Sequence, residues 1–257
     1  MVNWDAALYR QYEDERTQPA RDLLARVKLD APSSVVDLGC GPGNSTELLV
    51  ARYPTAGVLG IDTSEDMLDS ARTRLPNCRF EKADIATWRP EKRPDLIYAN
   101  AALQWVAGHA ELVPRLFSDL APGGVLAFQM PDNRDEPAHR LMRETAAAGP
   151  WSGIIGNAAA TRVQVLRLTT YYDMLAKDAA EIEVWRTVYY HPMNSAAAIV
   201  NWVRGTGLKP FLEPLANDQQ TAFLEDYTSR INDAYPPHPD NLRLLAFPRV
   251  FMVARQR

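Results

Sequence analysis

Apolar positions change their spacing in a regular way along the first half of the chain. Short β-rich runs at Ser34–Leu38, Gly57–Ile61, Cys78–Glu81, Asp95–Ala99 and Val125–Met130 predict strands. Between them lie segments with apolar residues at helical spacing. These are Thr46–Tyr53, carrying Leu48, Leu49 and Val50; Ser64–Leu75, with Ser64 as N-cap; and His109–Leu120, which stops at Pro122-Gly123-Gly124. Strand and helix alternating at this spacing predict parallel βαβ units, and right-handed crossovers make of them an open twisted sheet with helices on both faces. Ahead of this run, residues 5–29 read as helical with a break near Thr17-Gln18-Pro19, because Pro19 suits a first helical turn and Leu23, Leu24 and Val27 then share a face. After Met130 the rhythm changes. Helices are predicted over 135–148, 168–177, 195–204 and 217–235, and strands over Glu181–Tyr190 and Arg249–Arg255; the Gly/Ala-rich stretch 150–162 has no clear period. The fold class expected is α/β, with a small helical cap formed by the helices between the last two strands.

Composition narrows the chemistry. The 257 residues are 46% hydrophobic and 23% charged, enough for one large α/β domain. A net charge of −4 argues against a nucleic-acid partner, although a few local arginines can still hold an anion. Two cysteines, Cys40 and Cys78, make neither a disulfide scaffold nor a four-thiolate site, and the histidines lack metal-ligand spacing, so no metal is expected. Charged residues interrupt the first fifteen positions and no apolar run reaches about 18 residues, so the expectation is a cytoplasmic chain with no membrane partner. Oligomeric state is left open.

The most informative stretch is Val35-Val36-Asp37-Leu38-Gly39-Cys40-Gly41-Pro42-Gly43-Asn44, a strand feeding a glycine turn that feeds a helix. Doubly wound sheets bind ligands at this point, and glycines let the backbone approach them. The dinucleotide fingerprint requires its third glycine where Asn44 stands. Asp37 places a carboxylate beside the loop, which repels pyrophosphate and suits a ligand carrying an ammonium group. Asp62, about 20 residues after the loop, can hydrogen-bond both hydroxyls of a ribose, a feature shared with nicotinamide-dinucleotide enzymes. Asp84 can meet an adenine amino group, with Ile85 and Met67 packing on the ring. Cys40 reads as a packing residue, since its neighbours offer no paired base.

As a set, Asp37–Gly43, Gly60-Ile61-Asp62, Ala83-Asp84-Ile85 and Leu120–Gly124 resemble the motifs of the class I S-adenosylmethionine methyltransferases. The resemblance implies a Rossmann-like seven-stranded, mostly parallel sheet whose last pair is antiparallel, and S-adenosyl-L-methionine as cofactor. It implies cofactor contacts from Tyr9, Arg16, Asp37, Gly39, Gly41, Asn44, Asp62, Thr63, Met67, Asp84, Ile85, Asn100 and Gln104. The implied organisation is one domain over 1–257: helices of 1–30 over the cofactor, a cofactor-binding core at 31–130, and helical cap or substrate segments at 131–180 and 191–246.

The flanks narrow the likeness. Asn3-Trp4-Asp5, Tyr9, Tyr12, Glu15–Ala20, Asn100–Trp105, Trp202–Leu208 and Phe247–Phe251 resemble the trans-aconitate 2-methyltransferases nearly end to end. That family implies methyl transfer to one carboxylate of trans-aconitate, giving a monomethyl ester. A carboxyl group with a pKa of about 4 is ionised at neutral pH, so no general base is required and none is expected. Alignment of oxygen, methyl carbon and sulfur supplies the catalysis, worth roughly 7–11 kcal/mol. A tricarboxylate calls for arginines. Arg204 ranks first for substrate, followed by Arg134, Arg162 and Arg167; Arg16 can grip substrate or the cofactor's carboxylate. Trp105, Trp151 and Trp202 are candidate walls of the pocket. Remaining alternatives are another small carboxylic acid, a malonyl-carrier protein, a natural-product hydroxyl, and a non-catalytic adenosylmethionine-binding protein. A dehydrogenase is disfavoured by Asn44 and Asp37.

Overall fold

The structure, a computed structural model, describes residues 13–156, 165–204 and 207–257, with residues 13–16 as backbone only. The chain divides into two compact units. Among the described residues, one contains 13–131, 165–187 and 249–257; the other contains 132–156, 188–204 and 207–248.

In the first unit the elements follow in the order α1 (Glu13–Leu24), β1 (Ser34–Leu38), α2 (Asn44–Arg52), β2 (Gly57–Asp62), α3 (Glu65–Arg74), β3 (Arg79–Lys82), β4 (Leu96–Asn100), a 3₁₀ turn (Leu103–Trp105), α4 (His109–Ser118) and β5 (Val125–Pro131). Further on come α7 (Leu168–Leu175), most of β6 (Ala179–Met193) and the end of β7 (Arg243–Gln256). The seven strands lie in the order β3-β2-β1-β4-β5-β7-β6. Strands β1 to β5 pair in parallel, and β7 runs antiparallel to β5 with Gln129 opposite Phe251. The expected mostly parallel seven-stranded sheet is therefore present.

Because side chains alternate along a strand, the register sorts them onto two faces. One face carries Val36, Leu38, Ile61, Ile97, Phe128, Met130, Val250 and Met252, and packs on Leu112 and Leu116 of α4 and on Tyr171 and Leu175 of α7. Tyr171 meets Phe128 edge-on with ring centres 5.6 Å apart. Residues 165–187 group with the sheet. The opposite face is covered by α1: Ala20 and Leu23 are buried, and the Tyr98 hydroxyl donates to the Ala20 carbonyl at 2.6 Å.

The break expected at Thr17–Pro19 does not occur. Helix α1 runs through Pro19. Burial of Ala20, Leu23 and Leu24 offsets the lost hydrogen bond, whose cost in a helix interior is about 3 kcal/mol. Helix α1 also ends at Leu24, five residues short of the expected 29, while the other expected helices and strands β1 to β6 agree within three residues. Ser64 caps α3 by accepting from the Met67 amide at 3.5 Å. Strand β7 starts at Arg243 rather than 249 and passes through Pro248, whose carbonyl accepts from the Asp132 amide at 2.9 Å.

In the second unit, α5 (Pro137–Ala148), α6 (Ser152–Ile155), α8 (Ala196–Arg204), α9 (Lys209–Leu212) and α10 (Asn217–Ala234) are the described helices. Pro137 at the first turn of α5 needs no donor partner, and the next free amide, Ala138, is satisfied by the Tyr235 hydroxyl at 3.0 Å. The Tyr227 hydroxyl in turn donates to the Ala138 carbonyl at 2.7 Å, tying α10 to α5.

Candidate functional site

The glycine loop bends by backbone geometry that side chains disfavour. Gly39, Gly41 and Gly43 have φ of 68°, 54° and 93°. A Cβ on Gly39 would come within 2.5 Å of the Ala102 Cβ, so the turn after β4 presses on this loop and only glycine fits between them. A Cβ on Gly41 would meet nothing within 4 Å, which leaves that backbone bordered by open space. Asp62 braces the loop. Its Oδ2 accepts from the Gly41 amide at 3.0 Å and its Oδ1 from the Ser64 amide at 2.9 Å. Each oxygen keeps a lone pair, so the brace does not exhaust the carboxylate.

Asp37 lies fully buried behind the loop. Its Oδ2 accepts from the hydroxyls of Ser45 at 2.8 Å and Thr46 at 2.7 Å, while Oδ1 has no hydrogen-bond partner among the described residues. Burial pushes its pKa up to about 7 against the pull of the two hydroxyls. Burial, helped by Asp37 and Asp62, also drives the Cys40 thiol well up, so it stays a neutral packing group.

The turn after β3 carries Asp84 and Ile85. Asp84 is exposed and accepts from the Ala86 amide at 2.8 Å; Ile85 is buried. Arg115 of α4 holds this turn, donating to the carbonyls of Ile85 at 2.6 Å and Trp88 at 2.7 Å. Met67 is buried in α3 and Thr63 is exposed beside it; Asn44 begins α2.

The turn after β4 is strained and heavily tied. Ala101 has φ 54° without being glycine, and its amide donates to the Gln129 carbonyl at 3.0 Å. Gln104, 4% exposed, donates to the Ala101 carbonyl at 2.6 Å, and its Oε1 has no partner among the described residues. Buried His109 fixes the next residue through a ring nitrogen 2.9 Å from the Leu103 carbonyl. That nitrogen must donate, since a carbonyl only accepts, and the other ring nitrogen lies 2.6 Å from the Tyr171 hydroxyl. Trp105 closes the turn at 37% exposure.

Behind this turn, Arg249 of β7 donates to Gln129 Oε1 at 3.0 Å, and Gln129 donates to Asn100 Oδ1. Arg249 and Gln129 are buried. Sequence reasoning missed both. The available signal was an arginine inside the apolar run Phe247–Val253, a position that charged residues rarely occupy unless paired.

The structure thus gathers Asp37, Gly39, Gly41, Asn44, Asp62, Asp84, Ile85, Asn100 and Gln104 around the carboxyl ends of β1 to β4. Tyr9 and Arg162 lie outside the described residues, as do the side chain of Arg16, Trp4, Tyr12 and Gly205-Thr206. Trp151 is 4% exposed, packs on Phe223 at 5.2 Å and donates its indole N–H to the Thr145 carbonyl. Trp202, also 4% exposed, clusters with His191 and Phe247. Arg134, Arg167 and Arg204 are exposed. Among the described residues no cluster of His, Cys, Asp and Glu could hold a metal, and no helix is long and apolar enough to cross a membrane.

Residues 9–210 match the family model described as "Methyltransferase domain". The chain is 62% identical to the trans-aconitate 2-methyltransferase of Variovorax paradoxus, with all of both chains covered. It is 57% identical to the protein of that name from Yersinia pestis, covering 99% of this chain and 98% of the other. Among solved structures it resembles the YcgJ protein of Bacillus subtilis, with a TM-score of 0.61 at 12% identity over 93% of this chain and 98% of that one. A structure described as a putative methyltransferase, from Bacillus halodurans, gives a TM-score of 0.58, also at 12% identity, with 93% and 98% covered. At that identity the likeness is one of fold. The glycine loop braced by an acid at the end of β2, the seven-stranded order and the end-to-end match agree: the chain belongs to the methyltransferase-domain family and, within it, to the sequence family of the trans-aconitate 2-methyltransferases.

Proposed function

We propose that this chain transfers a methyl group from S-adenosyl-L-methionine to a carboxylate of trans-aconitate, forming a monomethyl ester. The observation that carries the reading is the 62% identity, over the whole length of both chains, to a protein named for that reaction. Chemistry around the glycine loop fits the donor. Its buried, unpartnered acceptors, Asp37 Oδ1 and Gln104 Oε1, suit a cationic ligand with N–H donors and not a pyrophosphate. The bound cofactor supplies an electrophilic methyl group on a positively charged sulfur.

The chain's own residues then divide the work. Gly39 and Gly41 let the backbone approach the donor, and Asp62 keeps lone pairs for ribose hydroxyls while holding the loop. Asp84 and Ile85, on the turn that Arg115 clamps, are the proposed adenine contacts. Tyr9, Arg16, Asn44, Thr63, Met67, Asn100 and Gln104 complete the proposed cofactor set. No residue has to remove a proton, because the acceptor carboxylate is already ionised. Trp105, Trp151, Trp202 and Arg204 are the proposed substrate contacts, with residues 131–180 and 191–246 as the segments proposed to shape substrate choice. The partner is a small polycarboxylate, and the proposed location is the cytoplasm.

The purified chain is expected to convert trans-aconitate and S-adenosylmethionine to the monomethyl ester and S-adenosylhomocysteine, read by mass spectrometry. Turnover of other diacids or of malonyl-carrier protein, with none of trans-aconitate, would replace this substrate.

A further inference from the structure

Asn100, Gln129 and Arg249 form a chain of hydrogen bonds whose direction is fixed at one end. A guanidinium has donors and no acceptor, so the atom of Gln129 that Arg249 reaches at 3.0 Å must be the amide oxygen. The nitrogen of that fully buried amide is thereby turned toward β4, where it donates to Asn100 Oδ1. The oxygen of Asn100 is engaged by Gln129. Its nitrogen keeps two N–H donors with no acceptor among the described residues, on a half-buried residue at the carboxyl end of β4. An isolated asparagine can present either end of its amide to a ligand. Here an arginine two strands away decides which end is presented.

We propose that Arg249, acting through Gln129, is a positioning residue that fixes Asn100 as a hydrogen-bond donor to a carboxylate bound at the carboxyl edge of the sheet. The inference rests on the methyl-transfer reading for the identity of its ligands. That reaction involves two carboxylate sources, the polycarboxylate acceptor and the amino-acid end of the methyl donor, and their shared chemistry is what Asn100 recognises. The row lies where doubly wound sheets bind ligands. Gln129 serves the site twice, since its carbonyl also holds the amide of strained Ala101. A buried guanidinium is costly to keep, and its charge does not change over the working pH range, so the polarity it imposes does not titrate.

The decisive variant is Gln129→Glu. It keeps an acceptor for Arg249 but removes the donor to Asn100, whose amide then turns over and shows its oxygen to the ligand. The full-length variant is titrated calorimetrically with S-adenosylhomocysteine and with 5′-methylthioadenosine, which lacks the amino-acid end. Its KM for trans-aconitate and its melting temperature are measured in parallel. One carboxylate ligand is expected to weaken about ten- to a hundredfold, with 5′-methylthioadenosine affinity and folding retained. A loss on S-adenosylhomocysteine assigns the carboxylate to the donor, and a loss on KM assigns it to the acceptor. Arg249→Lys, which keeps a donor-only cation, is expected to stay closer to wild type than Arg249→Met. Unchanged affinity for both carboxylates in Gln129→Glu, or an equal loss for 5′-methylthioadenosine, overturns the proposal. If the wild-type chain binds S-adenosylhomocysteine yet leaves trans-aconitate unmethylated, the substrate reading fails while the donor titration still decides this one.

Discussion

The two faces of the sheet are built from the same strands but from different chemistry. The face under α4 and α7 presents Val36, Ile97, Phe128, Met130, Val250 and Met252 to an apolar core. The face under α1 begins in the same manner, with Val35, Leu96 and Ala127, but turns polar toward the carboxyl edge through Asp37, Asn100, Gln129 and Arg249. Burying an aliphatic or aromatic side chain contributes roughly 1.5–3 kcal/mol, whereas a buried polar group costs stability unless it is satisfied. One face therefore stabilises the unit, and the other gives up stability to hold directed acceptors and donors next to the glycine loop. The contrast marks the place where the sheet stops being apolar while still buried, and the proposed site lies there.

The largest effect expected from breaking this contrast is on the apolar face. Phe128→Ala should lower stability by about 3–5 kcal/mol through the cavity left against Tyr171, seen in urea unfolding. Affinity of the still-folded protein for S-adenosylhomocysteine should be unchanged, and a matching loss of affinity would erase the division of labour. Next comes Gly39→Ala, which forces a Cβ to within 2.5 Å of Ala102 at φ 68° and should cost about 1–3 kcal/mol in strain together with donor binding. Adding Ala102→Gly should recover part of that loss; no recovery would mean that the steric account of the loop is wrong.

Asp62→Asn deprives one of the Gly41 and Ser64 amides of its acceptor and should weaken S-adenosylhomocysteine binding by about 1.5–3 kcal/mol in calorimetry. Asp37 gives a smaller, pH-dependent effect. Its folded pKa of about 7 lies above the ordinary carboxylate value, so its contribution to apo stability is complete below about pH 4 and is lost as pH rises through 7. A cationic ligand should pull that pKa down and release about half a proton near pH 7, measured by titration in buffers of different ionisation enthalpy. Asp37→Asn should abolish the release. Arg204→Ala, at an exposed helix end, should change stability by no more than about 0.5 kcal/mol and raise the KM for trans-aconitate modestly. An unchanged KM removes it from the substrate set.

How far the sequence carries the reader differs between the faces. The strands were legible because Ser34–Leu38 and Val125–Pro131 are dense in β-formers between turn residues, and the glycine loop because its spacing has few other uses. The course of α1 through Pro19 was not legible, since burial of Ala20 and Leu23 against distant strands decides it. Short α9 and the 3₁₀ turn at Leu103 depend on tertiary ties such as the His109 bond and leave no periodic trace. Arg249 was overlooked because exposed arginines such as Arg204 look equally cationic in a sequence. Burial and the register that sets Arg249 beside Pro131, two residues from Gln129, exist only once the strands are paired.

The most direct test of the account is calorimetric titration of the purified full-length chain with S-adenosylhomocysteine, repeated with NAD. Saturable binding of the sulfur ligand, abolished or much weakened in Gly39→Ala, with no heat from NAD, is the predicted result. Binding of NAD without binding of S-adenosylhomocysteine would contradict it.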